Sequence, residues 1–185
     1  MNLASNNISG LIPKQLGECS ELVFFNFSRN TLNGRIPSEI GRIQCLQSLD
    51  LSWNMLLGEI PQQLGHLPRL ETLNLYHNNL FGSIPSTFDD SLSLTSIDIS
   101  YNELEGPIPN IKAFREAPYK AFQNNKDLCG NATSLKDCPK MIHNPSGKRR
   151  NKFVIIILIP VLASLFLIFI ILGVNTYLSP KSEQN

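Results

Sequence analysis

"LSWNMLLGEIPQQLGHLPRLETLNLYHNNLFGSIPSTF", Leu51 to Phe88, states one phrase twice. Asn54 returns as Asn78, Gly58 as Gly82 and Ile60-Pro61 as Ile84-Pro85, each after 24 residues. Outward from this stretch the period holds. Asparagines stand at Asn6, Asn30, Asn54, Asn78 and Asn102, glycines at Gly10, Gly34, Gly58, Gly82 and Gly106, and prolines at Pro13, Pro37, Pro61, Pro85 and Pro109. Isoleucine precedes every one of those prolines. Self-similarity at such a period marks a solenoid, whose units are too small to bury an apolar side alone and must stack.

Within each unit the apolar residues are spaced three, then two: Leu22/Phe25/Phe27, Leu46/Leu49/Leu51, Leu70/Leu73/Leu75 and Leu94/Ile97/Ile99. A step of two puts side chains on one face of a strand. The unit reads LxxLxxLxLxxNxLxGxIPxxLG: a short strand, a turn at the asparagine, a glycine-permitted bend and an extended Ile-Pro segment. Proline holds the preceding residue extended and donates no backbone hydrogen, which disfavours helix there. An amide has both donors and acceptors, so Asn6, Asn30, Asn54, Asn78 and Asn102 are expected to form a structural ladder, bonding backbone of their own coil and the next. Coils stacked as a parallel sheet lie about 4.8 Å apart. Residues 1–110 thus make about five coils, the first incomplete, in an arc.

Net charge is +1 over 185 residues, which argues against a nucleic-acid surface. The basic residues gather in "GKRRNK", Gly147 to Lys152, directly before "FVIIILIPVLASLFLIFIILGV". That stretch, Phe153 to Val174, has no charge and one hydroxyl, Ser164; as a helix it would extend about 33 Å, enough to cross a bilayer. Pro160 is tolerable inside such a span. Residues 140–152 have the composition of a polar basic linker, and residues 175–185 form a short tail.

At "LQSLDLSWNMLLGEIPQQLGHL" the chain resembles the extracellular repeats of plant leucine-rich-repeat receptors. "FREAPYKAFQNNKDLCGNATSLKDCP", Phe114 to Pro139, resembles the closing cap of the receptor-like kinases among them. The resemblance implies a leucine-rich-repeat solenoid, an α/β-type horseshoe arc with parallel strands and 24-residue plant-type repeats. Its G-x-I-P segment would form a second strand on the flank, and residues 111–139 a cap. It also implies a ligand-binding ectodomain, one membrane helix and an intracellular Ser/Thr kinase.

Cys129 and Cys138 bracket a short polar loop, where a disulfide would staple a cap with little core of its own. A zinc half-site is the alternative, with only His143 nearby. Cys19 and Cys45 read as buried free thiols. Sequons occur at Asn7, Asn26 and Asn131, usable only on the lumenal side of the secretory pathway; Asn144 is excluded by Pro145.

Nothing in the sequence supports catalysis. A kinase needs a glycine-rich phosphate loop, a strand lysine and the H-R-D and D-F-G constellations, none of which occurs. His66, His77 and His143 show no ligand spacing, and no cofactor is implied. Asp89-Asp90 falls at a junction where other repeats carry Leu-Gly or Ile-Gly, so it reads as a solvated turn.

Function therefore falls to the surface. The strand residues not used by the core are expected on the concave sheet: Phe24, Asn26, Ser28 and Arg29; Ser48, Asp50, Ser52 and Trp53; Thr72, Asn74, Tyr76 and His77; Ser96, Asp98, Ser100 and Tyr101. Trp53, Tyr76 and Tyr101 are interface-anchoring types, although aromatics beside the repeat asparagine also serve simply to cover its turn. The family comparison implies a peptide ligand or a co-receptor ectodomain as partner, with hetero-oligomers of receptor kinases.

Two features pull the topology apart. The chain opens at "MNLASNN", inside a coil and without a secretory leader or N-terminal cap, which would leave Leu3, Ile8, Ile12 and Leu16 facing water. Lys148, Arg149, Arg150 and Lys152 precede the span and only Lys181 follows, which by the positive-inside rule puts the repeats in the cytosol. Sequons and a cap cysteine pair suit the lumen. The expectations are thus a plasma-membrane receptor fragment with extracellular repeats, a tail-anchored protein with cytosolic repeats acting as scaffold or decoy, or a truncated product without function.

Overall fold

Two parallel sheets and a column of 3₁₀ turns follow from the three segments of each coil. The computed structural model describes residues 1–132 and 135–139. On one side, β2 (Phe24–Asn26), β4 (Ser48–Asp50), β6 (Thr72–Asn74) and β8 (Ser96–Asp98) pair in that order, with Phe25, Leu49, Leu73 and Ile97 in register and buried. On the flank a second sheet runs through β1 (Ser9–Leu11), β3 (Thr31–Gly34), β5 (Met55–Gly58), β7 (Asn79–Ser83), β9 (Glu103–Pro107) and β10 (Asp127–Cys129), again parallel. The repeated glycines sit in these flank strands at φ from +73° to +89°, a region open to glycine and costly for other residues.

After the first four Ile-Pro pairs the chain turns through a five-residue 3₁₀ helix: Lys14–Glu18, Ser38–Arg42, Gln62–His66 and Ser86–Asp90. The helical layer of the expected α/β horseshoe is therefore 3₁₀ rather than α. The fixed backbone after isoleucine leaves each coil too little chain for an α-helix. Among the described residues the only α-helix is α1 (Lys112–Arg115), in the cap.

A second glycine series, Gly17, Gly41 and Gly65, lets consecutive 3₁₀ turns touch. A Cβ at Gly65 would stand 2.7 Å from the carbonyl carbon of Thr87, and one at Gly41 would stand 2.7 Å from the carbonyl oxygen of Gln63. The in-phase residues of the following coil are Phe88 and Asp89, which corrects the reading of Asp89-Asp90 as the junction pair. Phe88 is fully buried in the apolar position. Asp89 replaces the glycine because α1, not another 3₁₀ turn, follows in the chain; its carboxylate accepts from the N–H of Asn110 at 2.9 Å.

The core is one continuous file, almost all Leu, Ile and Phe, ending in Phe88, Phe114 and Phe122. Beside it stands the asparagine ladder. Asn54 accepts from the N–H of Leu32 at 3.0 Å and donates to the carbonyls of Phe27 at 2.9 Å and Leu51 at 3.0 Å. Asn78 and Asn102 repeat this with Leu56, Leu51 and Leu75, and with Leu80, Leu75 and Ile99. Asn30 bonds Ile8, Leu3 and Phe27 in the same way. The ladder thus reaches the preceding coil, not the next as the sequence reading has it. Asn6 is not a rung: it is exposed, and its amide donates only to Ala4. The missing rung is Asn125, which accepts from Leu104 and donates to Ile99 and Phe122.

Cys19 is free and exposed and Cys45 half-buried, so neither is the buried thiol expected. Cys19 lies one period before the buried Ile43. Ile12, expected at a wet edge, is buried, while Leu3, Ile8 and Leu16 are half-buried. In the cap, Cys129 and Cys138 are disulfide-bonded with Cα atoms 4.9 Å apart. Among the described residues no helix is long and apolar enough to cross a membrane. The expected linker 140–152, span 153–174 and tail 175–185 lie outside the described residues.

Candidate recognition surface

The strands of the first sheet end in a shared turn that uses part of the expected contact set. Asn26, Asp50, Asn74 and Asp98 each turn a side-chain oxygen back to accept from the N–H two residues on, in Ser28, Ser52, Tyr76 and Ser100, at 2.9 to 3.1 Å. This Asx turn breaks the period-two alternation. As a result Ser28, Ser52 and Ser100 are buried rather than displayed on the concave face, with the Ser100 hydroxyl donating to Asp98 at 2.6 Å. Tyr76 is the exception in that series, large and half-buried. Ser48 and Thr72 are half-buried at the strand starts, while Ser96 is exposed. The Asn26 sequon begins at this turn position; the equivalent Asp50, Asn74 and Asp98 start none. Asn7 and Asn131 are exposed.

Past the turn comes a residue in the left-handed region: Arg29, Trp53, His77 and Tyr101, with φ of 54° to 58°. For such side chains this conformation costs roughly 1–2 kcal/mol each. Inter-coil hydrogen bonds hold it. The Trp53 N–H donates to Tyr76 at 2.8 Å, while its carbonyl accepts from Asn30 at 3.1 Å; His77 is held the same way by Ser100 and Asn54. Lying beyond the strands, these residues line the edge of the concave sheet instead of its centre.

At that edge they form one cluster. The rings of Trp53 and His77 are 3.9 Å apart, and Tyr76 packs edge-on against Trp53 and Tyr101, each at 5.3 Å. The Arg29 guanidinium lies 5.8 Å from the Trp53 ring. Trp53 is 39% exposed and Tyr101 38%. The structure therefore unites Trp53, Tyr76, His77 and Tyr101 and separates them from Ser48, Thr72 and Ser96. Arg29, one period before Trp53, joins the cluster through the Trp53 ring.

Below the cluster a groove of about 390 Å³ runs towards the flank sheet, lined by Met55, His77, Asn79, Tyr101, Glu103 and Asn124 together with ladder asparagines. A concavity of about 540 Å³ lies between Arg35, Glu39, Glu59 and Gln63, but holds no aromatic residue. In it, Glu39 stays ionised to lower pH than usual through a backbone hydrogen bond, aided by Lys14 at 3.8 Å.

Leucine-rich-repeat family models match residues 46–90, in two copies, and 93–112. The BIR2 ectodomain of Arabidopsis thaliana is 37% identical, with 74% of this chain and 71% of that one covered, at a TM-score of 0.67. The chain belongs to the plant leucine-rich-repeat receptor ectodomains. The ectodomain of the plant membrane receptor kinase GASSHO1/SCHENGEN3 from the same plant, solved in complex with CASPARIAN STRIP INTEGRITY FACTOR 2, is 43% identical over 75% of this chain and 16% of its own, at a TM-score of 0.69. MDIS1-interacting receptor like kinase 2 of Arabidopsis thaliana is 42% identical over 75 residues, which are 39% of this chain and 7% of that protein. Ectodomains of this family are the non-catalytic, recognition portions of receptors.

Proposed function

We propose that this leucine-rich-repeat chain is the anchored recognition part of a plant cell-surface receptor. Its repeats are extracellular, residues 153–174 cross the plasma membrane once, and glycans sit on Asn7 and Asn131. The edge cluster of Trp53, Tyr76, His77 and Tyr101 binds a peptide ligand or a co-receptor ectodomain, and any kinase signal comes from receptor kinases in the complex. The observation that carries this reading is the cluster itself, large side chains kept half-exposed at strained backbone positions in a family of recognition ectodomains.

A photo-crosslinking amino acid placed at Tyr76, Tyr101 or, as control, Gln62 tests it in plant cells. Adducts from the two cluster positions and none from Gln62 are expected, with an endoglycosidase-sensitive shift that Asn131→Gln reduces and that Asn7→Gln with Asn131→Gln removes. An unglycosylated chain whose repeats are open to protease on intact microsomes would put the repeats in the cytosol and sink the reading.

A further inference from the structure

We infer that the groove lined by Tyr101, His77, Met55 and Glu103 seats an arginine side chain of an extended peptide segment. The inference rests on the reading of the adjacent cluster as a recognition surface and names the chemistry one part of it selects. The walls are an aromatic pair and the Met55 side chain, the latter 50% exposed. The ladder amides of Asn54, Asn78 and Asn102 line the groove but are bonded within the ladder, so they add no free donor there.

The charge beside Glu103 is negative. Glu103 is exposed and makes no ion pair among the described residues, whereas its neighbour Glu105 accepts from the Lys126 ammonium at 2.7 Å. Glu103, Glu105 and Asp127 all raise the pKa of Lys126, so carboxylates outnumber the ammonium they share. An anion is repelled there and a neutral side chain gains nothing from the carboxylate. A cation fits. Arginine fits better than lysine, because its planar guanidinium stacks on aromatic faces while presenting donors to a carboxylate. The molecule carries the same pairing one step along the cluster, where Arg29 lies over Trp53.

The test uses the full chain in detergent micelles with ¹³C-methyl methionine. The sequence has three methionines, Met1, Met55 and Met141, and only Met55 lines the groove, so Met55→Leu assigns its signal. The probe is a blocked glycine-serine heptapeptide with one central arginine; the control carries citrulline, which has the shape without the charge. The Met55 methyl should shift saturably with the arginine probe, at about fivefold lower concentration than with citrulline. Glu103→Gln should bring the two probes level, with the Trp53 emission unchanged as a check on folding. No response of Met55 to arginine, an equal response to citrulline, or full discrimination in Glu103→Gln would overturn the inference. Those results leave the crosslinking outcome at Tyr76 and Tyr101 untouched, and a failure of that crosslinking leaves the methyl titration to stand or fall separately.

Discussion

Asn54, Asn78 and Asn102 are buried and identical; Trp53, His77 and Tyr101, each one residue earlier, are exposed and all different. The two files run side by side through the same coils under opposite rules. The asparagines bond backbone, which is the same in every coil, so only one residue type fits each rung. The left-handed residues are fixed by their own backbone hydrogen bonds, so the side chain is free to vary. That separation lets a stacked fold carry a surface of arbitrary chemistry without endangering its interior.

Breaking the ladder should have the largest effect. Asn78→Ala would strand the Leu56 N–H and the carbonyls of Leu51 and Leu75 in the interior, a loss of about 3–4 kcal/mol. Urea unfolding followed through Trp53, the only tryptophan, measures it; a loss under about 1 kcal/mol would deny the ladder its role. Next is Gly65→Ala, which forces a methyl against Thr87 and should cost about 2 kcal/mol. Asp89→Gly, in the same repeat position, loses only the bond to Asn110 and should cost no more than about 1 kcal/mol.

His77→Asn sharpens the contrast. Asparagine tolerates the left-handed region and already occupies it at Asn124, so stability should stay within about 0.5 kcal/mol of the parent. Trp53 emission, however, should change as the ring 3.9 Å away is removed, and crosslinking at Tyr76 should fall. The smallest effect concerns the exposed Lys126, whose ammonium is held above the usual lysine range chiefly by its hydrogen bond to Glu105. Since the folded value is the higher one, the stabilisation is complete below about pH 10.4 and is lost as pH rises through the elevated value. Glu105→Gln should therefore be slightly less stable than the parent at pH 8, with the gap closing in alkali.

The fold was legible where a residue type repeats because one type alone does the job: the asparagine, the turn glycine and the Ile-Pro pair. Legibility failed where geometry repeats without the residue. Arg29, Trp53, His77 and Tyr101 share a conformation and no chemistry, so the period sets them in one file but their letters do not reveal the left-handed backbone they have in common. Asn125 escaped because its rung comes after 23 residues, and Asp89 because the element it faces differs from that of its glycine counterparts. The burial of Ser28, Ser52 and Ser100 was hidden by the Asx turn, which overrides the alternation that governs the strand before it. Of the expected contact set, Trp53, Tyr76, His77 and Tyr101 come together, and their place at the edge follows from the Asx turn that precedes them.

Each ladder asparagine reaches backward, Asn54 to Phe27 and Leu32, Asn78 to Leu51 and Leu56. A coil leaving the ribosome therefore finds the groups it must bond already present in the coil made just before it. The ladder thus suits growth in the direction of synthesis: every new turn completes its predecessor and offers unfilled backbone to its successor.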